Sequence, residues 1–303
     1  MISIKQLHYA LAVEKTLHFK KAAQVCNVSQ SALSTAINEL EKQLGTVIFE
    51  RNNKKVLVTN NGQLILDKAK RVKLELDELL QLAKANKQAF TTTMTIGVIP
   101  TIGPYLLPKV LPEVRKKFPS FKLKIIEEQS HTLVNMVRAG DIDIAVLALP
   151  YPTAGLMSFD FWQEDFYLVS HREEYPKEVT SITTEELDIE KLMLLKDGHC
   201  LKEHALTACR LQNTKQNSDF DSASLHTLIQ MVAGKLGTTL VPQMALDQLI
   251  YNESELNAIH LNEPGPHRKI ALVIRPNYVR TMEVLMLKDI FTKQLMAKCN
   301  LAK

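Results

Sequence analysis

The chain has 303 residues, enough for about two domains of ordinary size. With 46% hydrophobic and 23% charged residues it is too apolar to be disordered, and its longest apolar runs, such as residues 144–149, are far short of the roughly 20 residues of a membrane helix. The first residues do not form a secretory signal, and the four cysteines are too few and too scattered for a disulfide scaffold. We therefore expect a cytoplasmic protein with reduced thiols and no membrane partner.

Positive charge is concentrated at the N-terminal end. Residues 1–90 hold 14 Lys and Arg against 8 Asp and Glu, whereas the rest of the chain holds 23 against 25. A basic module on a near-neutral body favours a nucleic-acid-binding segment, because neutralised phosphates supply much of the affinity for DNA.

The first predicted elements are three helices, over residues 4–14, 20–26 and 30–44, with a turn at Asn27 and an N-cap at Ser29. This spacing is typical of a helix-turn-helix, whose second helix enters the major groove. The third helix has an apolar face of leucine and isoleucine. The opposite face offers short polar side chains able to bond DNA; with the N-cap, the candidate DNA-binding residues are Ser29, Gln30, Ser31, Ser34, Thr35 and Asn38.

Gly45 is expected to end the third helix, and residues 47–51 and 54–58 predict a two-stranded wing with the basic residues Arg51, Lys54 and Lys55. A long amphipathic helix then runs to about residue 88, a length typical of a helix that pairs with its copy in another subunit. We assign residues 1–60 to a DNA-binding domain and 61–90 to a linker helix for dimerisation.

The remaining residues, 91–303, alternate short strands with helices, which predicts an α/β fold with a parallel sheet. Strands are predicted at 95–99, 121–126 and 141–148, and a second set begins at 166–170, continues at 192–195 and 238–241, and 270–274 returns to the first. We expect lobe I over 91–165 and 268–303 and lobe II over 166–267. Neither a nucleotide-binding glycine pattern nor His-Glu-x-x-His or Cys-x-x-Cys occurs, so we expect no cofactor, no metal and no enzyme activity of those classes.

One segment, residues 195–210, carries candidate sulfur chemistry. Cys200 is predicted at the start of a short helix, beside His199 and Lys202, and Cys209 ends that helix. A helix N-terminus and neighbouring cations lower the pKa of a thiol and favour a reactive thiolate. The residues alone leave two interpretations: a redox-sensing pair, or two small buried side chains. Cys26 and Cys299 are interpreted as non-functional.

The N-terminal segment resembles the winged helix-turn-helix of LysR-type transcriptional regulators. The matching runs are Ala22-Ala23, Ser29-Gln-Ser-Ala-Leu-Ser34, Leu44-Gly45 and Ile48-Phe-Glu-Arg51, in which Ile replaces the usual Leu. The resemblance extends over the whole length. It implies a winged helix-turn-helix, a linker helix and a two-lobed effector domain like a periplasmic binding protein. It also implies double-stranded DNA and RNA polymerase as partners of a homotetramer.

The segment Gly198-His-Cys-Leu201, with a second cysteine nine residues after the first, resembles the peroxide-sensing members of that family. The resemblance implies that Cys200 attacks hydrogen peroxide and that Cys209 resolves the product as a disulfide, in a transcription activator. Ser130 and Lys202 replace the Thr and Arg of those members, and residues 220–227 lack their usual charges. The implied peroxide pocket consists of Thr101, Ser130, His199, Lys202 and Arg275.

Two alternatives remain open: a regulator that binds a small organic inducer between its lobes, and a thiol peroxidase. If residues 200–209 are helical, their Cα atoms lie roughly 13 Å apart, too far for a disulfide. The peroxide reading therefore predicts that this helix unwinds on oxidation, and that a reduced structure shows separated thiols.

Overall fold

The computed structural model describes residues 1–52, 55–84, 89–175, 178–211, 224–250 and 255–299. It divides into two compact units, Met1–Lys87 and Gln88–Lys303. The predicted linker helix belongs to the first unit, because it packs along the first helix of the chain and Lys70 pairs with Glu14 at 2.7 Å.

The first unit is a winged helix-turn-helix followed by a long helix, as the sequence predicts. Its first three helices begin and end within about two residues of the predicted bounds, whereas the predicted end of the long helix, at about residue 88, lies outside the described residues. The elements are α1 (Ile4–Thr16), α2 (Phe19–Val25), α3 (Gln30–Leu44), β1 (Phe49–Asn52), β2 (Lys55–Val58) and α4 (Asn60–Lys84).

Local caps define the ends of α3. The Ser29 hydroxyl accepts a hydrogen bond from the backbone N–H of Ala32, and Gly45 ends the helix in the left-handed conformation at φ +65°. On the predicted apolar face of α3, Leu33, Ile37 and Leu40 are fully buried in the core of this unit and Leu44 is half-buried. Glu41 fixes the wing to α3, because its carboxylate accepts from the backbone N–H groups of Ile48 and Phe49.

The second unit contains two sheets with helices on their faces. Lobe I is built from β3 (Met94–Val98), α5 (Gly103–Lys117), β4 (Leu123–Glu127), α6 (Ser130–Ala139), β5 (Ile144–Leu149), β6 (Met157–Glu164), β12 (Arg268–Ile274) and α10 (Thr281–Cys299). Lobe II is built from β7 (Phe166–His171), β8 (Ser181–Ile182), β9 (Leu192–Met193), α7 (Cys200–Ala208), α8 (Leu225–Ala233), β10 (Thr238–Pro242), α9 (Gln243–Leu249) and β11 (Leu256–Leu261).

The strand order in lobe I is β4-β3-β5-β12-β6, and in lobe II it is β8-β11-β7-β10-β9. The predicted parallel arrangement holds for β3, β4 and β5, but β12 runs antiparallel to both of its neighbours, and β7 runs antiparallel to β10 and β11. The sheets are therefore mixed. The chain crosses between the lobes at two places, after β6 and before β12.

The central strands are apolar along their whole length because both of their faces are covered. Strands β10 and β12 are buried almost throughout, and so is β5, which explains why these segments show no alternation of polar and apolar residues. In the described part of the chain, no helix has both the length and the apolar character needed to cross a bilayer.

Candidate functional site

Cys200 begins helix α7, on the side of lobe II that meets lobe I. His199 occupies the N-cap position, and the preceding Gly198 has φ +96°, a conformation that favours glycine. A Cβ at Gly198 would lie 2.9 Å from the side-chain oxygen of Gln129, the N-cap residue of α6. This close approach places the reactive end of α7 beside the first turn of α6 in lobe I.

Ser130 is the first residue of α6 and is buried. Within the described part of the chain its hydroxyl makes no regular hydrogen bond, yet it lies close enough to Cys200 to lower the pKa of the thiol. A buried polar group without a regular partner is uncommon and calls for an explanation, such as a role in catalysis. The structure therefore places Ser130 beside the Cys200 thiol, and its role toward peroxide stays a prediction.

Thr101 lies between β3 and α5, also buried. Its hydroxyl accepts from Arg268 Nη1 at 3.4 Å, and its carbonyl accepts from Arg268 Nη2 at 3.3 Å. Arg268 is the first residue of β12, and its positive charge acts on the Cys200 thiol. The guanidinium of Arg268 therefore connects Thr101 with the neighbourhood of the reactive cysteine.

The arginine expected at this site, Arg275, lies elsewhere. Its Nη1 donates to the carbonyls of Val137 and Ile142 at 3.1 and 3.0 Å, and its guanidinium lies 5.3 Å from the centre of the Tyr278 ring. Arg268 and Arg275 sit at opposite ends of β12, and seven residues of strand span roughly 23 Å. The structure therefore does not bring Arg275 to Cys200, and the arginine whose charge acts on the thiol is Arg268.

Arg268 was not predicted from the sequence, because the resemblance around residues 273–276 pointed to Arg275 alone. The available signal was the position of Arg268 at the second crossing between the lobes, directly before a buried apolar strand. A charged residue that begins such a strand needs a buried partner. That partner is Glu164, whose carboxylate lies 2.7 Å from Arg268.

The predicted lowering of the pKa of Cys200 is wrong for this structure. The side chain is 4% exposed, and burial raises the pKa of its thiol, an effect that the Ser130 hydroxyl and Arg268 offset only in part. Neither predicted cation acts as expected. Burial and Lys196 lower the pKa of His199, so its imidazole is neutral, and Lys202 forms an ion pair with Asp197 at 2.7 Å.

Cys209 caps the other end of α7 and is buried, which raises the pKa of its thiol to about 11. Both thiols are free. The intervening helix of nine residues places their Cα atoms roughly 13 Å apart. The structure shows the separated thiols that the sequence predicts for the reduced state.

A cavity of about 200 Å³ opens between the lobes next to this site. Thr101 and His199 line it from lobe I and lobe II respectively, together with Tyr105 of α5 and Ser224, the N-cap residue of α8. Pockets for drug-sized ligands usually measure about 300–1,000 Å³. The space suits one or two small polar molecules better than an organic inducer.

His204, one turn after Cys200, fastens α7 to lobe I. Its Nε2 donates to the carbonyl of Pro150 at 2.9 Å, while its Nδ1 is buried without a partner among the described residues. Burial lowers its pKa, so the side chain is neutral. Any unwinding of α7 would break this contact between the lobes.

The predicted DNA-binding residues fall on one side of α3. Ser29, Gln30, Ser31, Thr35 and Asn38 are exposed and Ser34 is half-buried. Arg51 and Lys55 lie in β1 and β2, the two strands of the wing, whereas Lys54 lies outside the described residues. The described residues contain no group of three or more His, Cys, Asp or Glu side chains able to hold a metal.

Two family models match the chain: "Bacterial regulatory helix-turn-helix protein, lysR family" over residues 4–63, and "LysR substrate binding domain" over residues 87–295. The chain is 35% identical over 291 residues to the HTH-type transcriptional regulator EstR of Acinetobacter baylyi, covering 96% of each protein. It is 36% identical over 279 residues to the hydrogen peroxide-inducible genes activator of Haemophilus influenzae, covering 91% of each.

Among solved structures, the chain is similar to a full-length OxyR from Pseudomonas aeruginosa in which a cysteine is replaced by aspartate. The TM-score is 0.80 at 31% identity, and the match covers 96% of this chain and 95% of that one. The two-domain architecture is thus shared over nearly the whole length.

Proposed function

The chain belongs to the LysR family of bacterial transcriptional regulators, and we propose that it is a hydrogen-peroxide sensor that is switched by its own two thiols. One observation carries the proposal: a buried thiol at Cys200 lies beside the orphaned hydroxyl of Ser130 and within reach of the charge of Arg268. Two of the similar proteins also support the proposal: the relative from Haemophilus influenzae is a hydrogen peroxide-inducible genes activator, and the solved structure from Pseudomonas aeruginosa is an OxyR.

The chemistry uses one peroxide and two thiols. The Cys200 thiolate attacks one peroxide oxygen, the O–O bond breaks, and the departing hydroxide takes up a proton to become water. Sulfur is oxidised to a sulfenic acid. The Cys209 thiol then attacks this sulfur, forms the disulfide and releases a second water molecule.

The surroundings of Cys200 explain how a thiol with a raised pKa can react. Arg268 and the Ser130 hydroxyl stabilise negative charge on sulfur once the proton has left, and the same donors can bond the departing oxygen. The neutral His199 imidazole lines the adjacent cavity and can accept the thiol proton. We assign Thr101 to orienting the peroxide. Lys202 has no direct part, because it is paired with Asp197.

Disulfide formation then changes the shape of lobe II. A disulfide tolerates Cα separations of about 4.4–6.8 Å, whereas nine helical residues span roughly 13 Å. Helix α7 must therefore unwind, and Leu201 and Ala205 must leave the core. The two arrangements form a bistable element that oxidation biases.

The output is a change in DNA binding. The exposed polar face of α3 and the wing form the surface that contacts double-stranded DNA, and α4 offers an apolar side for pairing with a second copy. We propose a cytoplasmic homotetramer that contacts RNA polymerase as an activator. Rearrangement of lobe II would alter the spacing of its DNA-binding units.

The experiment that tests this function is mass spectrometry of each thiol in the full chain before and after one equivalent of peroxide. We expect a Cys200–Cys209 disulfide in the wild type and a trappable sulfenic acid on Cys200 in Cys209→Ser. Cys26, which is partly exposed in the DNA-binding unit, is the internal control and should stay reduced. An unmodified Cys200 would refute the proposal.

Two further assays separate the alternatives. If a Cys200→Ser protein still changes its operator binding in cells exposed to peroxide, the regulator responds to a small inducer instead. If the wild type consumes peroxide over many turnovers with a thiol reductant, it is a peroxidase. For a peroxide sensor, we expect no change in operator binding by the Cys200→Ser protein and no repeated turnover of peroxide by the wild type.

A further inference from the structure

Arg268 and Glu164 form an ion pair in the interior of the second unit, Gln88–Lys303, which is the regulatory unit. Arg268 Nε and Nη2 each lie 2.7 Å from Oε1 of Glu164, and the two residues are 1% and 2% exposed. Burying two charges costs desolvation energy that their attraction repays only when the geometry is good. A pair buried this completely calls for a role beyond holding two strands together.

The pair lies where the chain passes between the lobes. Glu164 is the last residue of β6 and Arg268 the first of β12, and they are directly opposite each other in the antiparallel register. The other carboxylate oxygen of Glu164, Oε2, accepts from the backbone N–H of Met244 in α9 at 2.7 Å. One carboxylate therefore binds both the arginine of lobe I and a helix of lobe II.

Glu164 also determines which end of the guanidinium faces Thr101. Because Nε and Nη2 are bonded to the carboxylate, Nη1 is directed toward the Thr101 hydroxyl. The Arg268 charge also acts on Cys200 and on His204, so the guanidinium lies near the reactive thiol. Because the guanidinium is planar and rigid, hydrogen bonds to Nε and Nη2 also fix the direction of Nη1.

We propose that Glu164 is a positioning residue for the reaction of Cys200 with peroxide, holding Arg268 so that its guanidinium faces Thr101 and the reactive thiol. This inference rests on the proposed function and adds a residue to it. Glu164 touches neither the thiol nor the peroxide; it acts through Arg268. Its bond to Met244 makes the position of Arg268 depend on the contact between the lobes.

Glu164→Asp tests position while keeping charge. The shorter side chain cannot reach both Arg268 and Met244, so the guanidinium shifts by on the order of 1 Å, a displacement that can cost a reaction up to about a hundredfold. We expect the rate of Cys200 with peroxide to fall at least about tenfold. Its rate with iodoacetamide, which depends only on the thiolate fraction, should fall much less than the peroxide rate, because the Arg268 charge and its counter-ion are both kept.

Glu283→Asp is the matched control. Glu283 pairs with Arg280, a second arginine that is buried and that donates to the carbonyls of Thr92 and Thr93. The control shortens a carboxylate in an arginine pair of the same unit, away from the thiol, and should leave both rates unchanged. If Glu164→Asp keeps the wild-type ratio of peroxide rate to iodoacetamide rate, the inference is wrong.

Glu164→Gln provides a second test should the aspartate variant fail to fold. It keeps the length but leaves the Arg268 charge without its counter-ion, so that charge stabilises the Cys200 thiolate more strongly. The pH profile of iodoacetamide labelling at Cys200 should move to lower pH, and an unmoved profile would overturn the inference. A wild-type Cys200 inert to peroxide would instead remove the proposed function itself, so the two failures are distinguishable.

Discussion

The packing of Leu201 gives a quantitative test of the unwinding of α7. Leu201 is buried in the core of the regulatory unit while the thiols are free, and it must leave that core for Cys200 to reach Cys209. Replacing a buried leucine by alanine costs about 2–5 kcal/mol. Leu201→Ala should therefore destabilise the reduced protein by about 3 kcal/mol and the oxidised protein much less.

This difference shifts the reduction potential of the disulfide. Because reduction must restore the helix, and the variant helix is less stable, the potential becomes more negative. For a two-electron couple, about 1.4 kcal/mol corresponds to 30 mV, so we expect a shift of about 60 mV. Equilibration in glutathione or dithiothreitol buffers, followed by mass spectrometry of the Cys200–Cys209 peptide, measures it directly.

Leu272→Ala is the control for this measurement. Leu272 is fully buried at the centre of β12 in lobe I, in a strand that both states retain, so its loss should lower the stability of both forms and leave the potential unchanged. A Leu201→Ala potential within about 10 mV of the wild-type value would mean that Leu201 keeps its packing. Disulfide formation by unwinding of α7 would then be refuted.

Three other outcomes follow from the structure. Burial raises the pKa of Cys200, so its iodoacetamide labelling rate should rise about tenfold per pH unit from roughly pH 6 to 8. A plateau of this rate near neutrality would contradict the raised pKa. Thr101→Val removes the hydroxyl that accepts a hydrogen bond from Arg268. The variant should slow oxidation of Cys200 by peroxide about tenfold or more without slowing its labelling by iodoacetamide, and competition kinetics measures both rates. Gln30→Ala should weaken operator binding in gel shifts by about 1–3 kcal/mol, whereas Gln43→Ala, at the far end of α3, should not. Equal losses of affinity in the two variants would show that the assigned face of α3 does not contact DNA.

The elements of the DNA-binding unit were predictable because their signals are local. Ser29 as an N-cap, Gly45 as a C-cap and the leucine spacing of α3 each act within a few residues. By contrast, β8 and β11 have no marked alternation or turn pattern. Strand β11 forms because β7 supplies hydrogen-bonding partners from distant sequence, and β8 forms because β11 does the same. Helices α8 and α10 also went unpredicted.

The candidate site was predictable in its cysteines and in Thr101 and Ser130, but not in its electrostatics. Whether His199 and Lys202 act as cations on Cys200 depends on burial and on competing partners, which a sequence does not show. His199 is buried and neutral, and Lys202 forms an ion pair with Asp197. Likewise, the choice between Arg268 and Arg275 requires knowing which end of β12 meets α7.

The burial of Cys200 connects its reactivity with the arrangement of the lobes. The thiol begins a helix of lobe II, whereas Ser130 and Arg268, the groups that stabilise its thiolate, belong to lobe I. A thiol that depends on groups from the other lobe is reactive only while the lobes stay in contact. When α7 unwinds to form the disulfide, the bond from His204 to Pro150 is lost as well. The reaction thereby removes the contacts that made Cys200 reactive, so the oxidised arrangement persists until the disulfide is reduced and α7 can reform.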